Sequence, residues 1–313
     1  MLAKPDPKQI KQTAVTLGIP ETFIIKDHFI TQAIHLLTRV DDDYFALIFQ
    51  GGTSLSKGYQ MIDRMSEDVD FRVILKPAAK ALGKGARRSK LRLFRYTLID
   101  TLNKAGFKVP EETIRVFYEG RYMNLAVIYE LSDRITYLKP HIKIECFFGE
   151  LMLPAVSLPI TSLTKLTVGD TCSDASLLVD CTALDETAAE KWVALTRRIA
   201  NTTIKQHAED KHLVRHLYDL YHLSTSALLT GDYCRIASVI MEKDRQQFKH
   251  DNEDYFLNPT HASKMALDKL YEDKQWESYW SYFLEQMVYH PNQLSFDKAY
   301  DQLLQFSRKI FNQ

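Results

Sequence analysis

The chain has 313 residues, 45% hydrophobic and 26% charged, an ordinary globular balance with length for two domains or for one large domain with a helical extension. Lys+Arg and Asp+Glu both number 40, so net charge points to neither nucleic acid nor a membrane, and only local clusters can argue for either.

The opening Met-Leu-Ala-Lys-Pro-Asp-Pro-Lys lacks the apolar run of a signal peptide, and no stretch approaches the roughly 18 apolar residues of a membrane span, so a cytoplasmic location is expected. Residues 21–40 place Phe23, Ile24, His28, Ile30, Ile34 and Leu37 near helical spacing. Residues 44–49 form a short apolar run suited to a buried strand, ending at Gly51 and Gly52. Thr53 or Ser54 can then cap a helix through about Ile62, and residues 68–75 read as a second strand.

A loop with Pro77, Gly83 and Gly85 leads to a basic helix over 89–105. Strand-like runs follow at 113–118, 123–129 and 135–147, so a mixed sheet with packed helices is expected to be complete by about residue 150. Pro154, Pro159, Gly169 and the polar run at 171–176 mark 150–180 as a connection. Beyond it the period becomes helical, over 185–201, 208–229, 233–243 and the segments after Ser263. Cys146, Cys172, Cys181 and Cys234 form no Cys-x-x-Cys pair and read as free thiols in a reducing compartment.

The chemistry concentrates between Gln50 and Phe71. Side chains alternate along a strand, so Asp68 and Asp70 share a face while Val69 and Phe71 enter the core. Paired carboxylates beside a glycine turn suit divalent metal and a nucleoside triphosphate, the equipment of phosphoryl or nucleotidyl transfer. Glu145, in Ile142-Lys143-Ile144-Glu145-Cys146, is the candidate third carboxylate. Gly51 and Gly52 admit phosphate oxygens close to the backbone, and Ser54 and Lys57 can reach them from the helix that begins near Thr53.

The ordered motifs Gly51-Gly52-Thr53-Ser54-Leu55-Ser56, Arg64-Met65-Ser66-Glu67-Asp68-Val69-Asp70, Glu186-Thr187-Ala188-Ala189-Glu190-Lys191-Trp192-Val193-Ala194-Leu195 and Arg215-His216-Leu217-Tyr218-Asp219-Leu220 resemble the DNA polymerase β-like nucleotidyltransferase superfamily. Within it the chain looks most like the AbiEii group, which includes the MenT enzymes, the toxins of type IV toxin–antitoxin pairs. The motifs span about residues 20–225; the C-terminal ninety or so residues match no motif.

The resemblance implies an α+β fold: a nucleotidyltransferase-type mixed sheet with helices over 1–150, then a mainly α-helical C-terminal lobe over 151–313 completing the cleft. It implies Asp68, Asp70, Lys191 and Asp219 as catalytic residues, with Asp68, Asp70 and Glu145 on the metal, Mg²⁺ or Mn²⁺. Gly51, Gly52, Thr53, Ser54, Lys57, Ser66 and Lys191 form the expected nucleotide-binding set. Without the resemblance, Lys191 would read as a surface lysine paired with Glu186 or Glu190, and Asp219 as the ion-pair partner of Arg215 one turn earlier.

Ser66 shares the face of Asp68, where it either braces that carboxylate or receives the transferred group and silences the enzyme. Lys76, Lys80, Lys84, Arg87, Arg88, Lys90, Arg92 and Arg95 run without an intervening acid. As a functional patch, with Lys84, Arg87, Arg88 and Lys90 at its centre, they would guide an RNA backbone toward the acids; as a bland one they are a solvated helix face. His212 and His216 have metal-ligand spacing but no His-Glu-x-x-His pattern or cysteine partners. The aromatics between Tyr271 and Phe283 read as the core of the last helices, or else as a surface that stacks bases or binds a partner. The expected activity is nucleotide transfer from an NTP to an RNA end, with the tRNA acceptor as the leading case and an antitoxin protein as a partner. Nucleotidylation or phosphorylation of a protein is the alternative, and a catalytically silent scaffold the third.

Overall fold

The structure, a computed structural model, describes residues 6–129, 138–169, 177–205 (backbone only over 202–205), 210–250, 252–289 and 294–312. Cys172, the polar run at 171–176 and the starts of the expected strand at 135 and helix at 208 lie outside them. The chain divides into two compact units, Met1–Thr182 and Ala183–Gln313.

The first unit runs α1 (Pro7–Leu17), α2 (Glu21–Thr38), β1 (Phe45–Gln50), α3 (Gly51–Lys57), β2 (Asp68–Leu75), α4 (Pro77–Lys80), α5 (Lys84–Ala105), β3 (Arg115–Phe117), β4 (Tyr122–Val127), β5 (Ile142–Phe148), β6 (Val156–Pro159), α6 (Leu163–Val168) and β7 (Leu178–Cys181). Its sheet has the order β3-β4-β5-β2-β1-β7-β6, with β2 antiparallel to β1 and parallel to β5.

The sheet does not end near residue 150, because β7 pairs with β1 and β6 closes that edge. Both added strands have four residues, and β6 ends on a proline, which an edge strand tolerates. That composition hid them in a segment that reads as a connection.

Alternation in β2 buries Val69, Phe71 and Val73 on one face. Phe45, in register with Leu75, extends that face, and its ring lies 5.4 Å from Phe94 of α5. Phe29 of α2 meets Tyr129 at 4.9 Å on the same side. Thus α2 and α5 cover the apolar face, and Asp68 and Asp70 occupy the other.

The second unit comprises α7 (Leu184–Lys205), α8 (Val214–Ser224), α9 (Tyr233–Gln247), α10 (Glu253–Leu257), α11 (Pro259–Glu272), α12 (Gln275–Met287) and α13 (Phe296–Phe311). The fully buried Trp192 of α7 donates its indole N–H to Ser307 Oγ of α13 at 2.8 Å, satisfying both polar atoms in the core. Asp185 accepts from the backbone N–H groups of Thr230, Gly231 and Tyr233, which fixes the turn before α9 against the start of α7. Trp276, Trp280 and Phe283 are buried as core, while Tyr271 and Tyr282 are exposed. No described helix is long and apolar enough to cross a membrane.

Candidate active site

Parallel pairing of β2 with β5 sets Asp70 directly opposite Glu145 and Asp68 opposite Lys143. On its other side Asp70 pairs with Gln50, the last residue of β1. Three carboxylates therefore share one sheet face beside the turn that leads into α3, and all three are half-buried.

That turn accounts for its glycines. Gly51 has φ +80, and a Cβ there would come within 2.4 Å of Asp70 Oδ2. A Cβ on Gly52 would meet Arg64 Nη2 at the same distance and Ser66 Oγ at 3.1 Å. The pair thus lets a carboxylate and a buried guanidinium approach the backbone where side chains would block them. Thr53 Oγ1 donates to the Asp68 carbonyl and lies 2.9 Å from Ser66 Oγ, so hydroxyls tie the helix start to the acidic strand. Ser66 braces Thr53 in this arrangement.

Lysines neutralise two of the acids. Lys139 Nζ lies 2.7 Å from Asp68 Oδ1, and Lys143 Nζ lies 2.7 Å from Glu145 Oε2. The Tyr122 hydroxyl donates to Glu145 Oε1. Burial, the Glu145 hydrogen bond and its charge together raise the Tyr122 pKa. Burial opposes the charge on Lys143, yet its hydrogen bond to Glu145 and the charges of Glu145, Asp68 and Asp70 hold its pKa above the ordinary lysine value.

Lys139 is itself positioned from the core. Fully buried Lys26 donates to Glu67 Oε2 at 2.7 Å and to the Lys139 carbonyl at 2.8 Å, while the Lys139 N–H donates to Glu67 at 2.9 Å. Sequence reasoning missed Lys26, Glu67, Tyr122 and Lys139; only Glu67, inside the acidic motif, carried any local signal.

Two expectations for the turn change. The helix starts at Gly51, two residues before Thr53, and ends at Lys57 rather than near Ile62. Lys57, expected at the phosphates, is buried and donates to Asp27 and, at 2.7 Å, to Thr31 of α2. It lies a turn and a half into α3, on the face packed against α2, so its reach is spent in the core. Ser54 is also buried and donates to the Gly51 carbonyl at 2.9 Å, shaping the turn.

In the second unit, Lys191 Nζ lies 2.7 Å from Asp219 Oδ2. Lys191 and Asp219 therefore pair across helices, a partnership that neither the Glu186 or Glu190 reading of Lys191 nor the Arg215 reading of Asp219 contains. Arg215 lies 3.3 Å from His212 Nδ1.

Residues 35–305 match the family model described as nucleotidyl transferase AbiEii toxin, type IV TA system. The chain belongs to the AbiEii family. It is accordingly a nucleotidyltransferase toxin of a type IV toxin–antitoxin system, a family that implies an NTP substrate and a cognate antitoxin. No curated protein matches by sequence. Among solved structures the AbiEii chain is similar to MenT4, a nucleotidyltransferase toxin from Mycobacterium tuberculosis H37Rv, at 19% identity with a TM-score of 0.47, covering 78% of this chain and 73% of that one. So distant a likeness carries no chemistry across.

A divalent ion is the cofactor such transferases use, and the donor set of this AbiEii chain suits one. The carboxylate oxygens of Asp68, Asp70 and Glu145 are hard donors of the kind Mg²⁺ and Mn²⁺ take. The ammonium groups of Lys139 and Lys143 stand where cationic charge is wanted. Among the described residues no three His, Cys, Asp or Glu side chains already converge into a metal cage. Glu145 is turned to Lys143 and Tyr122.

The basic stretch does not adjoin the acids. From Lys84 onward it lies on α5, which packs by Phe94 on the sheet face opposite Asp68 and Asp70, while Lys76 and Lys80 precede that helix. Arg87 donates to the Ala79 and Leu82 carbonyls and so secures the α4–α5 loop, and Lys90 stacks over the Tyr44 ring at 4.5 Å. Lys84 and Arg88 are exposed.

Proposed function

We propose that this AbiEii protein transfers a nucleotide from an NTP to the end of an RNA, the tRNA acceptor being the leading substrate, and that it does so in the cytoplasm with Mg²⁺ or Mn²⁺. The observation that carries the reading is Asp70, in register with Glu145 and pressed against the glycine turn at Gly51.

Asp68, Asp70 and Glu145 would hold the ion, whose chemistry when bound is to neutralise phosphate charge and lower the pKa of an attacking hydroxyl. The chain's own part is placement. Gly51 and Gly52 let the Asp70 carboxylate and the Arg64 guanidinium stand against the turn backbone, where the triphosphate binds in this reading. Thr53 and Ser66 fix that turn to the acidic strand. Lys139 and Lys143 supply mobile positive charge next to the carboxylates, able to follow charge onto the departing pyrophosphate as the RNA hydroxyl attacks the α-phosphorus. Lys191, paired with Asp219 in the second unit, is taken as a further nucleotide ligand on the AbiEii resemblance alone.

The test is incubation with each of four α-labelled NTPs in the presence of total RNA, purified tRNA and cell protein. Nuclease-sensitive label from one or more NTPs supports the reading. Label that migrates as protein and resists nuclease identifies a protein acceptor and overturns it.

A further inference from the structure

Two adjoining grooves open between α5 and the turn that joins β3 to β4, and Arg88 and Glu119 line both. One continues along Lys84 to Arg121, the other along Arg92 to Arg95. Arg88, Arg92 and Arg95 recur at helical spacing and so form a single row on α5. With Arg87, six cations thus line the two grooves beside one carboxylate, Glu119.

Burial, and then the like charges of Arg92 and Arg88, lower the pKa of Arg95. Its guanidinium is held there by a 2.9 Å hydrogen bond to the Gly120 carbonyl. A Cβ on Gly120 would lie 2.6 Å from Arg95 Nη1, so the glycine makes room for that arginine.

The turn is strained. Tyr118, Glu119 and Gly120 have φ of +53, +57 and +89 in succession, the left-handed region that non-glycine residues avoid. What the strain presents is a pair of exposed aromatic rings, Phe117 at 50% and Tyr118 at 64% exposure, with centroids 6.4 Å apart.

We propose that this arginine groove grips the sugar–phosphate backbone of the RNA acceptor away from its reacting end, with Phe117 and Tyr118 as the platform for an unstacked base. The inference rests on the RNA-acceptor reading above. The groove lies on the α5 side of the sheet, opposite the acids, and β3 is the sheet's edge strand. An RNA whose end is at Asp70 passes around that edge to reach it. Arginine forks match phosphate oxygens, and aromatic rings interleaved with cations accept any base, which favours RNA over an acidic protein segment. The row from Lys84 to Arg95 is about 16 Å long, enough for consecutive phosphates.

The experiment measures binding of fluorescent tRNA, and of a trinucleotide matching its end, by anisotropy across a salt series, beside NTP binding by calorimetry. Wild type is compared with Arg88→Glu/Arg92→Glu, with the milder Arg88→Gln/Arg92→Gln, and with Tyr118→Ala. Expected are at least a tenfold loss of tRNA affinity in the charge-reversed variant and a salt slope shallower by roughly 0.7 for each phosphate contact removed. A smaller loss follows in the other two variants, while NTP affinity stays within twofold and trinucleotide labelling persists. Unchanged tRNA affinity and salt slope in both arginine variants, with tRNA still labelled, overturn the groove and leave the RNA reading standing. A wild-type protein that neither binds nor labels RNA overturns both, and capture of an acidic antitoxin segment by the groove in that case names the other occupant.

Discussion

Lys191 Nζ and Asp219 Oδ2 stand 2.7 Å apart with Asp219 fully buried and Lys191 nearly so, joining α7 to α8. A buried pair of this kind is costly to break from one side, about 3–5 kcal/mol, because the remaining charge keeps its desolvation penalty. Replacing both members by apolar residues of similar volume removes that penalty. Lys191→Met and Asp219→Leu should therefore each destabilise the protein, and the double variant should recover most of the loss in urea unfolding. Nucleotide transfer should stay absent in the double variant. Recovery of transfer together with stability would make the pair a purely structural one.

Gly51 tests the turn. Gly51→Ala carries a left-handed strain of about 1–2 kcal/mol and drives a methyl group into the Asp70 carboxylate. Transfer activity should fall by at least about a hundredfold, the scale of a misplacement near 1 Å, while the thermal midpoint drops by only a few degrees. Near-normal activity would mean that Asp70 need not sit where the structure puts it.

Lys139 competes for Asp68. Lys139→Met removes that competitor and leaves Asp68, Asp70 and Glu145 with less neutralising charge on one sheet face. Calorimetry should show several-fold tighter Mn²⁺ binding, with a lower melting temperature before the ion is added. Weaker Mn²⁺ binding would contradict that competition.

Two histidines set an acid limit. Burial, and then Arg39, Lys57 and Lys165, outweigh the Ile160 carbonyl and lower the pKa of His35; burial, with Lys26 and Lys139, lowers that of His141. Below the unfolded value near 6.5 the unfolded chain binds protons that the folded chain resists, so stability falls as pH drops from 6.5 toward the folded values. Urea midpoints should be flat above pH 7 and decline between pH 6.5 and 5. His35→Asn/His141→Asn should shrink that decline.

Much of the first unit was legible because period-2 alternation is written in its strands: 68–75 coincides with β2, and the Asp-x-Asp pair could be assigned to one face. Glu145 was found the same way, by the alternation of Ile142, Ile144 and Cys146. What escaped was set by tertiary contact. Lys57 looks like a phosphate ligand until Asp27, thirty residues earlier, claims it. Lys139 has no local pattern, since Lys26 and Glu67 position it from other elements. The pairing of Lys191 with Asp219 across two helices was equally invisible to an i, i+4 argument. The short strand β7 draws its pairing from β1, and β6 from β7, rather than from their own composition.

The most direct measurement is transfer of label from an α-labelled NTP to tRNA by wild type and by Asp70→Asn, a near-isosteric change that keeps the turn and the sheet register. The wild-type protein should label the RNA, and the folded variant should lose at least about a thousandfold in rate, the kinetic equivalent of several kcal/mol of charge stabilisation. Labelling by folded Asp70→Asn at a rate near wild type would contradict the assignment of the acidic face as the site of transfer.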